Sequence, residues 1–548
     1  MRAFFSGQWD TPRRRGILLV LIVGIAAVVR LLGIGSIPPG MWYDEAINGL
    51  DALSIGRGHW PIFFATEMHP REPLYMYSLA GFFALFGHSV VKARIVSALW
   101  GVATVALFYP VAKRLLGGAG WGLVATLALS VFRWHVHFSR TVFRTLLAPF
   151  FLLGVVWFFL RWRERRRLVD ALLCGAMLGG GMYTYISFRL VPVLLGGWVL
   201  WLLARGEMNL RRDWRGLAMI AAAAGVVFAP LGVDYVRNPW HFHGRTDEVS
   251  MFVKQVEVTD TSGIKSTQEV RKTTGEVLRD VGANARGIAL MWSLRGDHVG
   301  KHNLPLAPVF DWATGLLFFV GIGWCLVNIT RNQTAFVVPA WLGLMALTSV
   351  FSFGAPNILR MLAAAPAAIL AMVLGMKVAD GGMARGGLSI VTRRGILGLV
   401  LVVFAALQLD SYFRRFPQSA EVRREFNTEM FYDPAQLVLQ SGDGIKTIWV
   451  PEEMMAHPTF DFVTHGMAAL KGYGALDDPV TTGSLPSALL LTARSQRLGG
   501  EAGHDTVARW RKAGARRVGF TEMAIEDAAS ARRSLMLWSE LWVLEKPR

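Results

Sequence analysis

Apolar runs close to twenty residues long recur through most of this chain, and they constrain its fold more than any single residue does. Wound as a helix, a run of that length with few charges matches the hydrocarbon thickness of a bilayer. The expected spans are Gly16–Ile34, Ile95–Ala112, Trp121–Phe132, Leu146–Leu160, Ala171–Ile186, Leu190–Leu203, Leu217–Val233, Trp312–Val327, Ala335–Phe353, Met361–Met376 and Gly395–Leu409. The chain therefore reads as mostly α, a polytopic membrane protein of about eleven transmembrane helices. Its composition agrees: 53% of residues are hydrophobic and only 18% charged, unlike a soluble domain. Arg13-Arg14-Arg15 precede the first run, as in a signal peptide, but no small-residue cleavage site follows, so a retained helix is expected.

The net charge of +18 points away from nucleic acid once its placement is considered. Much of it lies in short loops between apolar runs, the pattern that marks cytoplasmic loops. Arg13–Arg15, Lys113-Arg114, Arg161–Arg167, the stretch from Arg205 to Arg215, Arg331, and Lys377 with Arg393-Arg394 should all face the cytoplasm. This holds only if the short apolar run Leu74–Phe86 does not cross, so an interfacial or re-entrant helix is expected there. The N-terminus is then cytoplasmic and the membrane is the cell inner membrane. The loops 35–94 and 234–310 lie outside, within a transmembrane unit 1–411, and 412–548 forms an extracytoplasmic unit. In that tail, Thr447–Val450, Ala488–Leu491, Val518–Phe520 and Leu541–Leu544 read as strands. Val507–Ala513 and Ala524–Ser534 read as helices, giving a small C-terminal α/β domain.

The two cysteines, Cys174 and Cys325, sit in different spans, which argues against a disulfide framework or a cysteine metal cluster. No P-loop, dinucleotide-binding glycine motif, HExxH or nucleophile elbow stands in a fitting context. The chemistry-bearing residues gather in the outer segments instead. Tyr43-Asp44-Glu45 follows the first span and the turn Ser36–Gly40. Asp44 can cap a helix over Glu45–Ile55. Alternatively, one carboxylate of the pair is a general base and the other positions it or an acceptor. The cluster Glu67-Met68-His69-Pro70-Arg71-Glu72-Pro73-Leu74-Tyr75 is stiffened by its prolines, which suits a binding element. Arg133, His135, His137, Arg140 and Arg144 crowd another outer helix end, where positive charge is under-represented. Such a group suits an anion, since arginine forks match phosphate oxygens. Histidines two apart on a helix do not share a face, so no metal site is expected. Tyr183–Arg189 and Asn357–Arg360 add aromatics and two more outer arginines, and Arg140, Arg144, Arg189 and Arg360 could converge on one phosphate.

In this order the motifs resemble those of GT-C fold glycosyltransferases, the superfamily of protein O-mannosyltransferases and the lipid A aminoarabinose transferase. The resemblance rests on Trp42-Tyr43-Asp44-Glu45-Ala46, Gly56-Arg57-Gly58, Glu72-Pro73-Leu74-Tyr75, Phe86-Gly87, Arg94–Leu99 and Ser139–Arg144. It covers roughly the first 205 residues, with the later helices matched by hydropathy and Arg360. It implies transfer of a sugar from a polyprenyl-phosphate carrier to a lipid, glycan or protein acceptor on the non-cytoplasmic face, with no certain cofactor. Asp44 matches the acidic residue acting as, or near, the base, with Glu45 beside it, and Arg360 matches an arginine that helps bind donor phosphate. Tyr43, His69, Arg71, Glu72, Tyr75, His137 and Tyr185 are the candidate substrate-binding residues. The chain departs from several relatives in having Arg144 where they have an acid, and Glu72 where the aminoarabinose transferase has lysine. A rival reading is a transporter or flippase of lipid-linked saccharides, against which stand the few charges within the spans and the lack of a repeat.

Overall fold

The computed structural model describes residues 11–66, 69–259, 265–441, 445–474, 486–492, 507–526 and 533–544. Each expected span falls on a helix. The first is α1 (Pro12–Leu31), opened by Thr11, whose side chain accepts from the Arg14 N–H, with Pro12 in the first turn. The outer segment after it holds α2 (Tyr43–Gly56), the hairpin β1–β2 (Phe64–Thr66, His69–Arg71) and α3 (Leu74–Phe86). Next come α4 (Val90–Leu115), α5 (Ala119–Val131), the short α6 (Arg133–Phe138), α7 (Leu147–Arg165), α8 (Leu168–Gly181), α9 (Val191–Ala204) and α10 (Leu210–Arg237). The long outer loop contains α11 (Pro239–Glu248), the hairpin β3–β4 (Val253–Thr259, Lys265–Arg271) and α12 (Thr274–Met291). The last helices of the apolar set are α13 (Trp312–Asn328), α14 (Gln333–Val350), α15 (Ala365–Arg385) and α16 (Ile390–Asp410). Among the described residues, seven helices are long and apolar enough to cross a membrane, and four more are apolar but shorter, Leu74–Phe86 among them.

Lipid tails give helices no hydrophobic reason to associate, so close backbone packing must supply the attraction. Glycines supply it here. A Cβ on Gly175 or Gly179 of α8 would run into the Ile220 and Ala224 carbonyls of α10, and one on Gly321 or Gly375 would close the gap between α13 and α15. Polar caps fix where these helices begin: Asp311 accepts from Ala313 and Thr314 N–H at 3.0 and 3.1 Å, and Asn332 from Thr334 N–H at 2.8 Å.

After α16 the chain continues through turns into α17 (Ala420–Glu425), α18 (Asp433–Gln440), α19 (Glu452–Met455) and α20 (Pro458–Thr464). Two of these precede and two follow the first strand of a five-stranded sheet of order β6-β5-β7-β9-β8. Its strands are β5 (Thr447–Pro451), β6 (Leu470–Tyr473), β7 (Ser487–Thr492), β8 (Arg516–Glu526) and β9 (Arg533–Leu544). β5 runs parallel to β6 and β7, and β9 antiparallel to β7 and β8. All four expected strands form. The helix expected over Ala524–Ser534 does not: residues 524–526 and 533–534 pair across β8 and β9, Ala524 opposite Leu535 and Glu526 opposite Arg533, while 527–532 lie outside the described residues. Alanine and glutamate favour a helix locally, but the ladder with β9 overrides so weak a preference. Ile448, Val450, Ala488, Leu490, Leu541 and Val543 face inward and join the same apolar cluster as the membrane helices.

Candidate functional site

The site begins with α2. Trp42 precedes the helix in an extended conformation, and its backbone N–H is accepted by Glu45 at 2.9 Å. Glu45 also accepts the Val142 N–H at 2.7 Å and stands 3.7 Å from the Arg94 guanidinium. Arg94 donates in turn to the Pro38 and Gly40 carbonyls at 2.9 and 2.6 Å. Glu45 is fully buried. Burial pushes its carboxyl above the ordinary value, against the pull of Arg94 and the two backbone N–H groups. Glu45 thus closes the capping box that Trp42 opens at the start of α2, and both its oxygens accept from backbone N–H groups. Asp44 does not cap the helix, since it lies one residue inside it.

One residue along a helix is a turn of about 100°, so Asp44 points elsewhere. Asp44, Ile47 and Asp51 fall on one face, and Asp44 and Ile47 line a small recess, open to solvent, with Arg71, Arg144 and Arg245. Asp51 holds Arg71 in place, accepting from Nη2 at 2.7 Å and Nε at 3.2 Å. Burial raises the Asp51 carboxyl, and Arg71 opposes that shift. Glu72 accepts from Arg144 Nε at 3.3 Å and lies 3.5 Å from Arg189 Nη2, so it bridges the two. The Arg144 guanidinium lies 5.3 Å from the ring of Tyr185, which is buried. Arg189 donates to the Phe242 carbonyl at 2.5 Å and to the Tyr235 hydroxyl at 3.2 Å, tying α11 and the end of α10 to the turn before α9. Arg245 extends from α11 and pairs with Glu248 at 2.7 Å. Arg360 donates to the Phe353 carbonyl at 2.9 Å and to Ser352. Burial lowers the Arg360 guanidinium; Tyr185 opposes that shift and Arg245 adds to it, so these three groups are neighbours.

Of the expected residues, the structure gathers Asp44, Arg71, Glu72, Arg144, Tyr185, Arg189 and Arg360 in one region. Tyr43 stands at its edge, its ring edge-on to His457 at 5.4 Å. The side chain of His69 lies outside the described residues, as do Glu67 and Met68. Three expectations are corrected. Arg140 is fully buried and donates to the Val29 and Ile37 carbonyls at 2.9 Å each, so it braces the end of α1 rather than joining the other arginines. His137 packs among Phe138, Tyr412 and Phe416, with Nε2 2.9 Å from the Lys301 carbonyl. Tyr75 is buried against Ser97, their hydroxyls 2.5 Å apart. All three are turned inward, where their polar groups find partners once buried. Arg245 was missed: the only sequence signal was a lone arginine in a helix opened by Pro239 within the long outer loop. Among the described residues, no group of three or more His, Cys, Asp or Glu could hold a metal ion.

The family described as dolichyl-phosphate-mannose-protein mannosyltransferase matches residues 68–232. A search of curated protein sequences returned no match. Among solved structures, ArnT from Cupriavidus metallidurans bound to undecaprenyl phosphate superposes with a TM-score of 0.52 at 15% identity, covering 96% of this chain and 99% of that one. The chain has the GT-C glycosyltransferase fold. The apo state of the same ArnT gives a TM-score of 0.51 at 14% identity over 96% of this chain and 99% of that one. The apo oligosaccharyltransferase of Archaeoglobus fulgidus gives 0.48 at 11% identity, covering 82% of this chain and 64% of that chain. With the GT-C fold, the seven long apolar helices make this a multi-pass membrane protein. The family-matched stretch holds Arg71, Glu72, Arg144, Tyr185 and Arg189, while Asp44, Arg245 and Arg360 lie outside it.

Proposed function

We propose that this chain is a membrane glycosyltransferase that moves a sugar from a polyprenyl-phosphate carrier to an acceptor hydroxyl on the outer face of the cytoplasmic membrane. The observation that carries the reading is that Asp44 shares one recess with Arg71, Arg144 and Arg245. A carboxylate beside several guanidiniums suits a reaction in which an acceptor loses a proton while a phosphate leaves. ArnT, which shares the fold, was solved with undecaprenyl phosphate bound. In the proposed step the acceptor oxygen bonds to the anomeric carbon as the bond from that carbon to the phosphate oxygen breaks. Asp44 takes the acceptor proton, and the electron pair departs with the lipid phosphate, whose charge the arginines stabilise. A single displacement inverts the anomeric centre. The donor phosphate is assigned to Arg144, Arg245 and Arg360, with Arg71 and Arg189 beside them.

The test is turnover by purified protein in proteoliposomes. A polyprenyl-phosphate sugar should be consumed and a nucleotide sugar should be inert. Asp44→Asn should abolish transfer while leaving lipid-phosphate binding in place. Direct transfer from a nucleotide sugar would overturn the donor assignment. Movement of the lipid-linked sugar across the bilayer without chemical change would favour a flippase.

A further inference from the structure

We propose that the C-terminal segment is a positioning element for Asp44, acting through the turn that launches α2. The inference rests on Asp44 being the base. Both backbone groups of Met41, three residues before Asp44, bond to the tail rather than to their own neighbourhood. Its N–H donates to the Phe426 carbonyl at 2.8 Å. Its carbonyl accepts from Thr459 Oγ1 at 3.2 Å and Asn427 Nδ2 at 3.4 Å, and Asn427 also reaches Thr459 Oγ1 at 3.3 Å. The contact is too close for a side chain. Gly40 has φ +65°, and a Cβ there would stand 2.5 Å from the Phe426 carbonyl oxygen. Further along α2, a Cβ on Gly49 would strike the Phe462 ring. His457 closes the arrangement, stacked on Phe431 at 3.6 Å and edge-on to Tyr43.

On the opposite side the same turn is held by Arg94 through the Pro38 and Gly40 carbonyls. The turn is thus clamped between a membrane helix and the tail. A rigid helix carries any displacement of Met41 on to Asp44, and displacing a reacting group by about 1 Å can cost on the order of 100-fold in rate. The tail therefore sets where the carboxylate stands. Thr459 is the residue to test, because valine keeps its shape and loses only the hydroxyl.

Full-length Thr459→Val and Thr459→Ser should be compared with wild type in proteoliposomes, with Asp44→Asn as reference and undecaprenyl phosphate binding as a separate measurement. The expected result is a fall in kcat on the order of tenfold for the valine variant, with KM for the donor and lipid-phosphate affinity unchanged, and recovery in the serine variant. A valine variant with wild-type kcat beside an inactive Asp44→Asn would overturn the positioning role alone. A loss in both Thr459 variants, or one matched by lost lipid-phosphate binding, would reduce the contact to general stability and also overturn it. Turnover by Asp44→Asn itself would instead remove the base assignment and the proposal with it.

Discussion

Asp44 and Glu45 are neighbours of the same chemical type, and on the proposed reaction they have opposite duties, which a pair of isosteric substitutions can separate. In Glu45→Gln the amide keeps the shape but has one oxygen for two backbone donors, Trp42 N–H and Val142 N–H, now 2.9 and 2.7 Å from the carboxylate. A hydrogen bond to a charged acceptor contributes about 1.5–3 kcal/mol, and a stranded buried donor costs about 1–3 kcal/mol. Arg94 also loses the carboxylate 3.7 Å away. The neutral amide escapes the burial cost that raises Glu45, which offsets part of this. The net expectation is a destabilisation of about 3 kcal/mol. Half-buried Asp44, converted to asparagine, should change stability by no more than about 0.5 kcal/mol. Thermal unfolding in detergent and transfer per folded molecule are the two measurements. Glu45→Gln should melt far below wild type yet keep measurable transfer, and Asp44→Asn should melt with wild type and transfer nothing. A Glu45→Gln protein that melts normally and is inactive would refute the division of labour.

The arginines admit a similar contrast: Arg245→Ala should weaken lipid-phosphate binding on the order of tenfold or more with little change in melting, whereas Arg140→Ala should lower melting and leave binding per folded molecule intact. Reporter fusions after Arg94, near Lys301 and after Arg415 should read outside, and those near Arg165 and Arg212 inside; a cytoplasmic readout for the tail would overturn the topology. Burial holds His457 at about 4, below the ordinary 6.5, so the unfolded chain takes up the proton first and stability falls as pH drops from 6.5 towards 4. Asp433, pushed up to about 6 by burial, acts in the opposite direction over the lower part of that range. The measurement is therefore a difference: between pH 7 and pH 5 the wild type should lose more melting temperature than His457→Phe, and equal losses would remove the histidine as the cause.

Much of the fold was legible because a bilayer permits few solutions. Every expected span lies on a helix, since apolar length alone dictates one where no water can satisfy the backbone. The site was legible in outline and not in detail. Arg140 and Arg144 are four apart and look alike in sequence, yet one braces carbonyls of α1 and its turn while the other faces the recess. The difference lies in which neighbours the bend after α6 presents to each, and that is a tertiary fact. Arg245 was invisible for the complementary reason: its loop has no periodicity linking it to residue 44, and only the folding of α11 onto the hairpin β1–β2 brings them together. The tail misled at 524–526 and 533–534, where local propensity argued for a helix and strand pairing prevailed.

Glu72 has a consequence for the timing of the cycle. Its two oxygens engage Arg144 and Arg189. On the proposed reaction, an arriving phosphate competes with this carboxylate for the same guanidiniums, which makes Glu72 an internal competitor. On that reading it keeps the cations apart from bulk anions between turnovers and reclaims them once the sugar has been transferred. Charge alone would make the spent carrier hard to release, because a lipid phosphate monoester is more highly charged than the diester that delivered the sugar. A resident carboxylate lowers the affinity for both and so shortens the time the product stays. On the proposed reaction, an uncharged glutamine at this position should bind the carrier more tightly and turn over more slowly, since departure of the lipid rather than bond breaking would set the pace.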